Sequence, residues 1–363
     1  MRNQFGEKMA TTKIKLFLLL IVILGMVGLN ASQHDQLYQF CRSGNEKELK
    51  NLIKAKINLN LGLKPDSTTA LMAAVEGGHL QIVKLLVENG ADINAKRKFG
   101  YTSLMIAIQH NQAEIVKYLI EMGADIHMFT NINDTPLMFA VEKCQTELLQ
   151  LLIQKGADVN IRNKTDIFPL FQCGVNGCVE TAKILINAGA EVNASSKPVG
   201  ETPLMKAAFM GHGELVRLLI EKGASVNDRS RGGKTALMFA AQNGRLQVVK
   251  QLIEAGAQIN QTDVLGFSAL LYALDFKHIE IAISLIKAGA DLDVKAKNES
   301  TPVTLTNKYQ FKEIAALLIE KGAEGSQILL EAESTPDSSN TPKKDGATSP
   351  VGDQKPPTPE SEP

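Results

Sequence analysis

Between residues 69 and 94 the apolar positions fall into two short stripes at helical spacing. Leu71 and Ala74 follow Thr69, and Ile82, Val83, Leu85, Leu86 and Val87 form an i, i+3, i+4 set further on. Thr69 suits an N-cap, because its hydroxyl can accept from a backbone N–H two or three residues ahead. Gly78 separates the stripes and Gly90 follows the second, both at places where a helix ends and positive φ is cheap for glycine. The pattern predicts helix, turn, helix and loop. The polar stretch from Lys96 to Tyr101 is expected to form a hairpin-like finger before the next helix.

This unit recurs. A Gly-Ala pair begins at Gly90, Gly123, Gly156, Gly189, Gly223, Gly256, Gly289 and Gly322, at steps of 33 or 34 residues. A second marker runs in phase with it, as in Thr135-Pro136-Leu137 and Thr202-Pro203-Leu204. Proline there sits at the first helical position, where its missing N–H costs little. Small residues at Ala74, Ala107, Ala140, Ala207, Ala240 and Ala273 let neighbouring helices approach closely. One unit cannot bury both of its faces, whereas stacked units can, each touching only its neighbours.

Through the Thr-Pro-Leu helix start, the Gly-His turn and the Gly-Ala-Asp-Val-Asn phrase, the chain resembles the ankyrin-repeat family over about residues 35–324. The resemblance implies an all-α ankyrin-repeat solenoid of about nine helix–turn–helix–finger units; the composition of the two ends adds the expectation of a signal helix before it and a disordered tail after it. Units are expected to start near residues 35, 69, 102, 135, 168, 202, 235, 268 and 301. The expected division is a signal peptide at 1–31, a repeat domain at 32–330 and a tail at 331–363. In the degenerate first unit, Asp35 is the expected cap, and Leu37, Phe40, Leu49, Leu52 and Ile53 the apolar set. In the last unit, Thr304 and Thr306 replace apolar residues, which predicts a more solvated outer face. Phe168 replaces a capping threonine and Cys173 a small alanine. Cys144, Lys277 and Gln310 occupy the glycine slot of the turn, so irregular turns are expected there.

The N-terminus sharpens the picture. Arg2, Lys8, Lys13 and Lys15 precede an apolar run from Leu16 to Leu29, and small Ala31 follows. This is the order of a secretory signal, and the run is short for a membrane span of about 20 residues. A periplasmic or secreted bacterial protein is the expectation, with no stable membrane insertion after cleavage. Export implies an oxidising compartment, yet four cysteines do not make a dense disulfide scaffold. A Cys173–Cys178 pair and free, packed thiols both remain open. The segment 331–363 holds seven of the thirteen prolines and seven acids against three lysines, a composition that cannot offset its ordering entropy by burial.

Catalytic chemistry finds no support in the pattern. His79, His212 and His278 share one place in their repeats, as do Asp92, Asp125 and Asp158, which marks them as scaffold. No metal-ligand spacing and no phosphate-binding loop occurs, so no enzyme activity, metal or cofactor is expected. The whole chain has a formal net charge of zero, which gives no reason to expect nucleic acid. The resemblance implies a protein partner bound by the finger tips and the inner face of the first helices. On that face Phe209, Met210, Phe276 and Tyr309 are the candidate anchors, since exposed aromatics carry much binding energy. His110 on the same face, and Arg97, Phe99, Tyr101 and Arg231 on fingers, complete the candidate set. The fingers carry twelve basic residues against seven acids, which suits an acidic partner surface. The reading is a monomeric, non-enzymatic scaffold. The alternative is a secreted effector, or an inhibitor of an enzyme of a host or neighbouring cell.

Overall fold

The computed structural model describes residues 33–63 and 65–329, so the expected signal and tail lie outside the described residues. Among the described residues nine helix pairs follow one another. The first helices are α1 (33–43), α3 (Ala70–Glu76), α5 (Ser103–Gln109), α7 (Pro136–Glu142), α9 (Pro169–Asn176), α11 (Pro203–Met210), α13 (Ala236–Gln242), α15 (Ala269–Asp275) and α17 (Pro302–Tyr309). The second helices are α2 (Glu46–Lys54), α4 (Leu80–Glu88), α6 (Ala113–Glu121), α8 (Thr146–Gln154), α10 (Val179–Asn187), α12 (Gly213–Glu221), α14 (Leu246–Glu254), α16 (Ile279–Lys287) and α18 (Lys312–Glu320). First helices stack on first helices and second on second, and one apolar core runs from Leu37 to Leu329. Within it Leu71, Ala74, Val83 and Leu86 are fully buried. Each such leucine or valine contributes about 1.5–3 kcal/mol relative to an exposed one.

The local signals act as the residues suggest, with instructive exceptions. Thr69, Thr102, Thr202, Thr235, Ser268 and Thr301 each accept from the N–H three residues on, at 3.1–3.4 Å. Thr135 and Phe168 make no such bond, and the Thr135 hydroxyl is buried without a partner. Asp35 caps nothing, because it lies inside α1. In the first unit Leu37 and Cys41 fill the core while Phe40 is only half-buried. Of the two threonines in the last unit, Thr304 is exposed and forms a capping box with Thr301, but Thr306 is buried. The turns at Cys144, Lys277 and Gln310 are not irregular. All three adopt the left-handed φ (53°, 62° and 57°) that Gly78 has at 73°, because packing on both sides dictates the turn. An L-residue there costs about 1–2 kcal/mol.

Three sets of polar contacts recur at the seams between neighbouring units. Along the outer loops, the asparagine that ends the Gly-Ala phrase reads the backbone of the following unit. Asn193 donates to the Gly223 carbonyl at 3.1 Å and accepts from the Ser225 N–H at 2.8 Å. Asn60, Asn160, Asn227 and Asn260 repeat the pair of bonds. His127 occupies this position in its unit, and no equivalent pair forms there. At the turns, His79, His212 and His278 place Nε2 3.0–3.1 Å from a carbonyl near the end of the preceding first helix, so that nitrogen carries the proton. Gln112 and Gln145 donate to Val75 and Ile108 in the same way. At the finger tips, backbone N–H groups of Asn131, Lys164, Arg231, Val264 and Lys297 donate to the preceding tip at 2.8–3.1 Å.

Cys178 stands at the position held by His79, Gln112 and Arg245 in their units, and it is disulfide-bonded to Cys144 of the preceding unit, with a Cα–Cα distance of 5.5 Å. Neither reading of the thiols from sequence holds in full. Cys173 is buried and free, so it does not pair with Cys178, and Cys41 is also buried and free. Burial pushes the Cys41 thiol up to about 12, so it is a packing group, not a nucleophile.

Asn193→Ala is expected to lower stability by about 1 kcal/mol, and His127→Asn to raise it by a similar amount. The midpoint of urea unfolding followed by circular dichroism reads both. Cys144→Ser opens a loop of 34 residues and is expected to cost about 2–4 kcal/mol, with no further loss on adding a reductant.

Candidate partner-binding face

The fourth and seventh residues after each helix cap lie one turn apart, so both face the hollow between first helices and fingers. In the later units five of these eight positions are aromatic or basic: Lys206, Phe209, Phe239, Tyr272 and Lys308. Phe209 packs edge-on to Phe239, with ring centroids 6.2 Å apart. Lys234 lies over both Phe239 (5.6 Å) and Tyr272 (4.4 Å) and donates to Gln242 Oε1 at 2.8 Å. Tyr272 is 6.4 Å from Phe276, and the Tyr309 hydroxyl donates to Asp275 at 3.2 Å. Lys206 covers Phe209 at 5.0 Å, and Lys277 and Lys308 cover Tyr309 at 4.8 and 4.6 Å. The result is a continuous band of rings and ammonium groups across α11, α13, α15 and α17. Each exposed cation–ring contact contributes about 0.5–1 kcal/mol.

The electrostatics of the band follow from burial. Burial lowers the pKa of Lys234 below the usual lysine range, while the carboxylates of Asp263 and Glu201 oppose that shift. Asp263 is itself buried. Its carboxylate accepts from the Leu265 and Phe267 N–H groups at 2.8 and 2.9 Å and from the Tyr272 hydroxyl at 2.6 Å. Those bonds pin a finger to an inner helix. Burial raises the Tyr272 pKa, and the hydrogen bond to the Asp263 carboxylate raises it further.

The structure brings Phe209, Phe276 and Tyr309 into one band, with half-buried Met210 at the end of α11 beside it. Phe276 is the most open of the four, at 47% exposure. The finger candidates divide. Phe99 is 60% exposed at a tip. Arg97 is engaged within the chain, paired with Glu76 at 2.5 Å and set over Tyr101 at 5.6 Å, and Tyr101 packs on Phe139 at 5.5 Å. Arg231 is exposed and reaches the Pro198 carbonyl at 3.5 Å. His110 is exposed at the end of α5, five units away from the Phe276 site. Sequence reasoning missed Phe239, Tyr272, Lys206 and Lys234. The signal was available, because all four stand at fixed offsets from Thr202, Thr235 or Ser268. It also missed the apolar finger tips Ile132, Val199, Val264 and Leu265, each about half exposed or more.

Among the described residues no group of three or more His, Cys, Asp or Glu side chains is arranged to hold a metal ion, and no helix is long and apolar enough to cross a membrane. The family model described as ankyrin repeats (3 copies) matches residues 16–97, 37–130, 95–163, 125–196, 170–263 and 224–296, well over half of the chain. The chain belongs to the ankyrin-repeat family. It is similar to the human Notch-regulated ankyrin repeat-containing protein, 37% identical over 77 residues, which is 20% of this chain and 68% of that protein. The protein of that name from Xenopus tropicalis is 40% identical over 64 residues, 17% of this chain and 56% of the relative. The chain thus spans little more than half the length of the Xenopus relative it matches. Family membership makes protein binding the general role of the solenoid.

Tyr272→Phe removes a donor from a buried carboxylate and is expected to lower stability by about 1.5–3 kcal/mol. Phe276→Ala, at an open position, is expected to change it by about 0.5 kcal/mol or less. Chemical unfolding of the two variants side by side separates the ring that holds the scaffold from the ring free to meet a partner.

Proposed function

We propose that this chain is a non-enzymatic scaffold that holds a protein partner against the concave face of α11, α13, α15 and α17. The observation that carries the reading is the band of Phe209, Phe276 and Tyr309 with Lys206, Lys277 and Lys308 beside the rings, backed by the buried rings Phe239 and Tyr272 under Lys234. Such a surface suits an extended partner segment that offers apolar side chains to the rings and carboxylates to the lysines. Met210 widens the apolar strip. His110, Arg97 and Tyr101 fall outside it and take no part.

An exported setting, periplasmic or secreted, agrees with the basic-then-apolar N-terminus and with the Cys144–Cys178 bond, which an oxidising compartment sustains. In this reading residues 1–31 are removed, 32–330 form the binding domain, and the proline-rich segment 331–363 follows. The mature chain acts as a monomer, without nucleic acid, cofactor or membrane anchor. Fractionation of the native cells is expected to find it outside the cytoplasm.

Crosslinking in that compartment followed by mass spectrometry is expected to recover a specific protein. Phe209→Ala combined with Phe276→Ala should reduce its recovery about tenfold or more while circular dichroism stays unchanged. Undiminished recovery by the double variant overturns this face as the binding site.

A further inference from the structure

Because the units repeat, one can serve as the control for another. In the unit that starts at Thr69, the carboxylate of Glu76 is neutralised within the chain by Arg97 at 2.5 Å, whose guanidinium lies 5.6 Å from the Tyr101 ring. In the unit that starts at Thr235, the ammonium of Lys234 covers Phe239 and Tyr272 and bonds to Gln242. Both clefts between finger and inner helix therefore hold a cation of the chain's own, set against an aromatic ring and a polar side chain.

The unit that starts at Thr135 keeps the ring and the acid and changes the rest. Phe139 stands at the place of Phe239, and Glu142 at the place of Glu76 and Gln242. Asn163 takes the position of Arg97, and Asp134 takes that of Lys234, so both cations are replaced and one carboxylate is added. Here the concave face opens into a cavity of about 390 Å³, lined by Asp134, Met138, Phe139, Glu142, Ile167 and Gln172 among others. Neutral amides hold its walls. Asn163 Nδ2 donates to Asp134 Oδ1 at 2.8 Å, and Asn176 Nδ2 donates to the Glu142 carbonyl at 2.8 Å. Lys143 pairs with Glu142 at 3.1 Å, but through side chains that are both 45% exposed, where such a pair contributes little. Arg162 is engaged elsewhere, with Asp166 at 2.8 Å. Burial raises the pKa of Asp134, the bond from Asn163 opposes the rise, and the nearby Glu142 adds to it. A carboxylate in that position gains from an added positive charge.

We propose that this cavity receives the cationic side chain, arginine or lysine, of a partner polypeptide, which supplies the charge that Arg97 and Lys234 supply in the sister units. The proposal rests on the reading of the concave face as a protein-binding surface and assigns part of its specificity. A guanidinium laid on an aromatic ring, with a carboxylate to receive its N–H fork, is the closer match to the Arg97–Glu76–Tyr101 cleft. The two halves of the concave face then ask for opposite charges: a basic side chain at α7 and α9, and acidic ones along α11 to α17. A bound segment has a defined direction as a result.

The test uses the full chain with ¹³C-methyl-labelled methionine, followed by NMR through the Met138 methyl that lines the cavity. The probes are the Nα-acetyl amides of arginine, lysine and citrulline, the last being the neutral isostere of arginine. Saturating shifts of the Met138 signal with arginine or lysine, and none with citrulline at the same concentration, are expected, and the tighter of the two names the side chain. Asp134→Asn with Glu142→Gln should weaken the response about tenfold or more, since two charges are lost from a partly buried site. Asp134→Lys, which copies the Lys234 cleft, should abolish it. No Met138 response to either cation, an equal response to citrulline, or an undiminished response in the double variant overturns the proposal. This readout needs no natural partner, so it fails or succeeds independently of capture through Phe209 and Phe276.

Discussion

A pair of helices seven to eleven residues long has two apolar sides and no means of covering both. Everything else in this structure follows from that constraint. The short helices are below the length at which an isolated helix holds in water, so their stability comes from the stack. The stack in turn decides where polar atoms must be placed. Groups at the seam between units cannot all reach water, and the chain answers with three recurrent bonds: an asparagine across the outer loops, a histidine or glutamine across the turns, and a backbone N–H across the finger tips.

The junction between α7 and α9 is the place where this plan is rewritten. Thr135 and Phe168 leave both first helices without side-chain caps. The turn contact is replaced by the Cys144–Cys178 disulfide. The tip contact is lost because Pro198 stands at the position of the donor and has no N–H, in the one unit that is a residue longer. The Lys197 N–H donates to the Asp166 carboxylate in its place. Only the asparagine bond, from Asn160, keeps its usual form. The cavity with Asp134 and Glu142 lies at this same junction. The covalent tie thus joins two units where the ordinary turn and tip contacts are missing.

The rings of the inner face divide into buried and open ones by the same logic. Rings at Phe239 and Tyr272 are buried and carry lysines or a finger aspartate on top of them, so they belong to the scaffold. Phe276 shares the band but projects from the end of a helix and remains open. Arg97 and Tyr101 looked equivalent to Phe99 from their place in a finger. The chain satisfies both internally and leaves only Phe99 to solvent.

Periodicity made the fold legible. The spacing of Gly90 to Gly322 and the caps from Thr69 to Thr301 are local requirements of backbone and hydrogen bond, and local requirements are written in local sequence. The same reading marked His79, His212 and His278 as scaffold, and their bonds to carbonyls of the preceding unit give the reason. What the stack decided depends on residues about 33 apart meeting across a seam. The disulfide joins Cys144 to Cys178 and not to its near neighbour Cys173, because Cys173 points into the core while the turns of adjacent units lie side by side. Cys144, Lys277 and Gln310 keep the left-handed turn of glycine because packing above and below outweighs a strain of about 1–2 kcal/mol. The cavity at Asp134 is a property of three successive units together, and no single unit's sequence contains it.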